Sequence, residues 1–277
     1  MVTTTRNVLY IQPLVYNKDT RLTESLKTNL KKWLEAQFQP CKVEILPNIT
    51  QAVLDKIPLK DLGTKTNCYG SKQYNAIGIL NQVIGPIQKS KPDAIGVLSF
   101  TDVDLFTKQL NNYCFGYGIP ALGGVQSIHR FTGDFTGESY KSLEEEENAM
   151  LMRVCKIATH ELGHMFGLGH CAWYECLMKG TNHLEQTDRH PCYFCPVCYR
   201  KLYKCIKWDH VKRYQDITTI CEEFGGQFTK SQKYEKGKQS YKDWYEKRFK
   251  DLSKDKSNSL SVPCSGACNH AGHNHAK

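Results

Sequence analysis

The chain has 277 residues, enough for one large domain or two modest ones, so its fold can rest on a buried core rather than on covalent staples. No stretch approaches the roughly 18 continuous apolar residues of a spanning helix, and the polar start at residues 1–10 predicts no leader segment, so a non-secreted chain off the membrane is expected. The net charge is +9, and from Arg200 onward 17 basic side chains face 9 acidic ones, which places the excess near the C-terminus and reads as a solvated helical face.

Residues 7–16 (NVLYIQPLVY) are rich in β-branched and aromatic side chains. Residues 21–38 then space Leu22, Leu26, Leu30 and Leu34 at helical intervals, which predicts a strand followed by a helix. The short apolar runs 42–46, 76–80 and 94–100 predict three more strands, the last two buried on both faces. The front half therefore reads as an α/β layer. Residues 112–130 (NYCFGYGIPALGGVQSIHR) break repeatedly at Gly and Pro, as short strands and turns at a sheet edge do, and a substrate is expected to lie near them. Ser139 is expected to cap a long helix that runs to about Leu168. The acidic run 144–147 near its start points around the helix and cannot converge on one ion, so it reads as a solvated helix start. From Cys171 to about Cys205 the chain is dense in Cys and His, and residues 208–250 are basic with helical spacing. Residues 255–277 offer almost nothing to bury and are expected to be disordered, with Cys264, Cys268, His270, His273 and His275 assigned no defined role.

The chemistry sits on the long helix. His160 and His164 are four residues apart, so their imidazoles leave the same face one turn apart and can share a tetrahedral ion. Glu161 lies beside that ion without ligating it, where its carboxylate can act as general base toward zinc-activated water. Gly167 falls where the helix must end, and its access to positive φ lets the chain turn back so that His170 supplies a third ligand. Three histidines leave one position open. A bare HExxH is a weak signal; the extended HExxHxxGxxH of HELGHMFGLGH is a strong one.

Thirteen cysteines, an odd number, argue for metal ligation or reduced thiols over a full disulfide set. Cys171, Cys176, Cys195 and Cys198 form two pairs, enough for a closed tetrahedral thiolate site, which is structural because no position stays open. The string CYFCPVC also lets Cys192 replace one of them. Cys41, Cys68, Cys114, Cys155, Cys205 and Cys221 have no paired spacing and read as small core residues.

The extended histidine motif, followed by Cys171, Cys176, Met178 and the Cys195/Cys198 pair, resembles the archaemetzincin family of metzincin zinc metalloproteases. The spacing between Met178 and Cys195 is one residue shorter than the family pattern. The resemblance covers residues 159–202 closely and the rest in layout. It implies an α/β (α+β) fold with a metzincin-like mixed sheet, an active-site helix and a smaller C-terminal zinc-containing subdomain. It also implies that Met178 supports the metal from a turn beneath it.

Together these readings give a catalytic subdomain at 1–170 that ends in the third histidine, a second subdomain at 171–254 with the four-cysteine zinc site, and a tail at 255–277. Two Zn2+ per chain are expected, one catalytic and one structural. The expected activity is hydrolysis of peptide or protein substrates by an intracellular, cytoplasmic monomer with no membrane or nucleic-acid partner. A zinc-ribbon nucleic-acid-binding protein and a catalytically silent metzincin-like scaffold are the competing classes. The adjacency of His170 and Cys171 speaks against a detachable ribbon, and the presence of Glu161 against a silent scaffold.

Overall fold

The structure, a computed structural model, describes residues 1–17, 20–58, 62–68, 70–108, 112–230, 232–234 and 237–254. The expectations for 255–277 lie outside the described residues.

Strand β1 (Val8–Val15) runs through the middle of a mixed six-stranded sheet. It pairs in parallel with β2 (Lys42–Ile45) and β3 (Ile49–Thr50) on one side and with β6 (Ala94–Thr101) on the other. Strand β10 (Gly123–Ser127) follows β6 in parallel, and β9 (Gly116–Ile119) closes the sheet as an antiparallel edge strand. Alternation of side chains along β1 sends Leu9 and Ile11 into one core and Val8, Tyr10 and Leu14 into another, so both faces of the sheet are covered. A smaller sheet joins β4 (Thr64–Thr66), β5 (Lys72–Asn75), β7 (Asp104–Phe106) and β8 (Tyr113–Cys114).

The helix Glu24–Phe38 is capped by Thr23, whose side chain accepts from the Leu26 N–H at 3.1 Å. It buries Leu26, Leu30, Trp33 and Leu34 against the long helix Leu143–Met165, and the Trp33 indole donates to Thr159 Oγ1 at 2.9 Å. The long helix starts at Ser142, not Ser139. Its hydroxyl accepts from Glu145 N at 3.2 Å while the Glu145 carboxylate accepts from Lys141 N at 2.9 Å, an arrangement close to a capping box.

The run 76–80 is helical, which corrects the strand expected there. The Asn75 side chain accepts from Ile77 N at 3.1 Å and starts a helical path through 76–90. A short apolar run has the same composition in a buried strand and a buried helix, and here the cap decides.

The helices Pro196–Ile206, His210–Phe224 and Tyr241–Lys254 form the C-terminal part. Their core is continuous with that of the sheet: one cluster includes Leu9, Trp33, Leu162, Met178, Leu202, Ile217 and Tyr245. Buried Arg213 stacks near Trp208 and donates to the Gln37 carbonyl at 2.8 Å, so a C-terminal helix is tied to the end of the first one. Among the described residues no helix is long and apolar enough to cross a membrane.

Candidate metal centre and cleft

His160 and His164 leave the long helix on one face, and the chain returns to them within six residues. The helix ends through Phe166 N to Leu162 O and Leu168 N to Gly163 O, both at 2.9 Å, and Gly167 takes φ +88°. His170 then completes a group whose ring nitrogens lie within 4.8 Å of one another. Nδ1 of His160 donates to the Leu177 carbonyl at 2.8 Å, and Nδ1 of His164 donates to the Leu168 carbonyl at 2.7 Å. These bonds fix the tautomers, so the two Nε2 lone pairs face each other at 3.0 Å. Two acceptors that close repel unless a cation shares them, and three neutral imidazoles are a donor set suited to zinc. Burial, helped by His164, lowers the His160 imidazole to about 3, so it stays unprotonated.

Glu161 is buried beside these rings. Burial pushes its carboxyl up to about 8, against the smaller lowering by a backbone hydrogen bond from Gly118. The space it needs comes from strand β9, which lies on the long helix. A Cβ at Gly116 would meet Glu161 Oε1 at 2.5 Å, and one at Gly118 would overlap the Glu161 carbonyl and reach His164 Cβ at 3.2 Å. Alternate positions of a strand share a face, so the two glycines of the GYG string form one bare strip against the helix. The sequence displayed these glycines as breaks; their partner on the long helix was not legible.

Cys171, Cys176, Cys195 and Cys198 converge with sulfurs within 4.8 Å of one another. Cys176 Sγ accepts from Cys195 N at 3.2 Å and from Met178 N at 3.4 Å. The Cys176 thiol is held below its usual range, chiefly by a hydrogen bond from Cys198 and then by those backbone N–H groups. Four converging sulfurs, one of them favoured toward the thiolate, suit a closed zinc site. Cys192 is apart from the group: it is buried with its thiol toward Met152 Sδ at 3.6 Å. Met178 is fully buried under the long helix, where only a glycine at 163 leaves room for its sulfur.

Two cations on the long helix, which sequence patterns did not single out, tie it to the segments around Glu138 and Asp188. Arg153 donates to Asp188 at 2.7 Å, to Glu138 at 2.9 Å and to the Phe131 carbonyl at 2.9 Å. Lys156 donates to the carbonyls of Thr187 and Asp188 at 3.0 and 2.8 Å. Their partners lie 15 to 35 residues away, so no local spacing could reveal them. Beyond Phe115, the neighbour of Gly116, opens a cavity of about 350 Å³ lined by Tyr113, Arg130, Phe135, Leu184 and Asp188.

The family model of peptidase family M54 matches residues 59–204. Archaemetzincin-2 of Rattus norvegicus is 30% identical over 273 residues, covering 87% of this chain and 73% of that protein. Archaemetzincin-1 of Homo sapiens is 30% identical over 240 residues, covering 77% of this chain and 46% of that protein. Among solved structures, the archaemetzincin of Archaeoglobus fulgidus complexed with malonate shares 25% identity with a TM-score of 0.50, over 70% of this chain and 99% of that one. The archaemetzincin of Methanopyrus kandleri shares the fold with a TM-score of 0.55 at 24% identity, over 74% and 98% of the two chains. The chain belongs to peptidase family M54, the archaemetzincins, and is a zinc-dependent metallopeptidase.

Proposed function

We propose that the chain hydrolyses peptide bonds with Glu161 as general base beside a catalytic zinc held by His160, His164 and His170. A second, structural zinc is held by Cys171, Cys176, Cys195 and Cys198. The observation that carries this reading is the pair of imidazole Nε2 lone pairs facing each other at 3.0 Å, with the Glu161 carboxylate on the same helix turn.

When bound, the catalytic ion supplies Lewis acidity, which polarises a carbonyl and acidifies water. Glu161 takes a proton at its carboxylate and returns it to the leaving amine. The hydrogen bonds from Nδ1 of His160 and His164 keep both rings oriented and neutral toward the ion. The substrate backbone adds to β9, the edge strand of the sheet among the described residues, where Gly116 and Gly118 keep side chains out of the gap to the helix. Met178 fills the space beneath Gly163 and has no chemical role.

Residues 1–170 then form the catalytic subdomain and 171–254 a smaller one that braces the cleft through the thiolate site. We take the protein to act as a monomer. A four-cysteine zinc site suits a reducing, intracellular setting, where thiols stay available to metal. Digestion of a peptide library by the zinc-loaded protein tests the activity. Products that appear with zinc and vanish with a chelator are expected, and an inert zinc-loaded protein would sink the reading.

A further inference from the structure

Trp173 is 89% exposed and its neighbour Tyr174 49%. Large aromatic side chains are ordinarily drawn into a core. Of the four tryptophans in the chain, Trp33 and Trp208 are buried and Trp244 stacks on Tyr193 at 3.9 Å, so Trp173 alone stands fully in water.

The loop that carries it is held at both ends. Cys171 and Cys176 bring their sulfurs to one cluster, Cys171 N donates to the Met178 carbonyl at 2.8 Å, and Glu175 pairs with Lys179 at 3.8 Å. A loop fixed in this way presents its rings with little ordering left to lose on binding. Its place follows from chain length alone. Trp173 comes three residues after His170, and three Cα steps of 3.8 Å limit their separation to about 11 Å. Gly169, His170 and Ala172 are exposed as well, so the aromatic pair and the third histidine lie on one exposed stretch of chain.

We propose that Trp173, with Tyr174 beside it, is a substrate-contacting residue that seats an apolar side chain of the peptide next to the scissile bond. The inference rests on the peptidase reading above. Tryptophan and tyrosine offer large, stiff contact area with two rotatable bonds, and such anchors dominate recognition energies. Exposed Arg200, Lys201 and Lys204 on the helix after Cys198 would also suit an anionic lipid surface. The short tether to His170 favours the peptide.

Trp173 supplies its own probe. The zinc-loaded Glu161→Gln protein is mixed with saturating blocked octapeptide, of a sequence the parent cleaves, with Leu on both sides of the cut bond, and iodide quenching of tryptophan fluorescence is read. Quenching is expected to fall with the Leu peptide. It is expected to stay unchanged with vesicles of phosphatidylserine and phosphatidylcholine. In the active protein, Trp173→Ala is expected to raise KM for the Leu peptide ~10-fold while kcat and the melting temperature hold. Trp173→Phe is expected to restore most of the loss, and KM for a peptide with Gly at both positions is expected to stay level. Unchanged quenching at saturating Leu peptide, or protection by vesicles in its place, overturns the inference. A parent protein that cuts no peptide overturns the peptidase reading itself, a result distinct from cleavage that leaves Trp173 uncovered.

Discussion

The carbonyl of Leu177 accepts from Nδ1 of His160 at 2.8 Å, and Leu177 sits between Cys176 of the thiol group and Met178 beneath the helix. Three consecutive residues thus join the histidine group to the cysteine group. If both groups hold zinc, Cys195→Ser lowers the metal content from two equivalents to one. It also weakens the ion that stays, by the 10- to 100-fold typical of lost outer-shell support. A chelator removes the histidine-bound ion of the parent first, because that site has an open position. Elemental analysis with a zinc-competition titration checks this, and a parent protein with a single equivalent contradicts it.

Glu161→Gln keeps the side-chain volume in the gap left by Gly116 and leaves the three histidines in place. Zinc content and melting temperature are expected to hold, while kcat falls by about 10² to 10⁴ with loss of the base. Turnover near the parent rate, in a variant that retains its zinc, would falsify the assignment of the base.

The two glycines of β9 are expected to fail differently. A Cβ at Gly118 overlaps the backbone carbonyl of Glu161, which cannot rotate away, so Gly118→Ala costs about 1–3 kcal/mol of stability. A Cβ at Gly116 meets the Glu161 carboxylate, which can swing aside, so Gly116→Ala loses turnover with a smaller change in melting temperature. Thermal melts beside steady-state kinetics separate the two. Equal loss of stability in both variants contradicts this picture.

Arg153 is buried, whereas the Glu138 side chain is 45% exposed and already partly hydrated. Burial alone would raise the Glu138 carboxyl, yet hydrogen bonds from Tyr140 and Arg153 hold it below its usual range. A carboxyl depressed in the folded state stabilises above its unfolded value of about 4.3, and that contribution disappears as pH falls through the folded value. Arg153→Met is therefore expected to cost about 1–2 kcal/mol at pH 7, discounted for screening, and less below pH 4. Urea denaturation at the two pH values gives the difference; a penalty that grows on acidification goes against it.

The grouping of the histidines and of the cysteines was legible because these residues recur at short, fixed spacings, and the β-branched and aromatic richness of residues 7–16 announced the central strand. What stayed hidden depended on contacts between distant segments. Nothing near Arg153 announces Glu138 or Asp188, and nothing in the GYG string names Glu161 as its neighbour. The helix at 76–80 was missed because its cap, Asn75, carries the signal and the apolar run does not. Ser139 and Ser142 are both good caps in isolation, and only the reach of Glu145 back to Lys141 favours the second.

The core cluster that begins at Leu9 is completed by Tyr241 and Tyr245, which donate to the carbonyls of His190 and Cys192 at 3.2 and 2.7 Å. During synthesis the histidine motif therefore leaves the ribosome some seventy residues before the core can close. For that interval the three histidines and four cysteines are on an unfinished chain, because the last described helix carries the tyrosines that close the core.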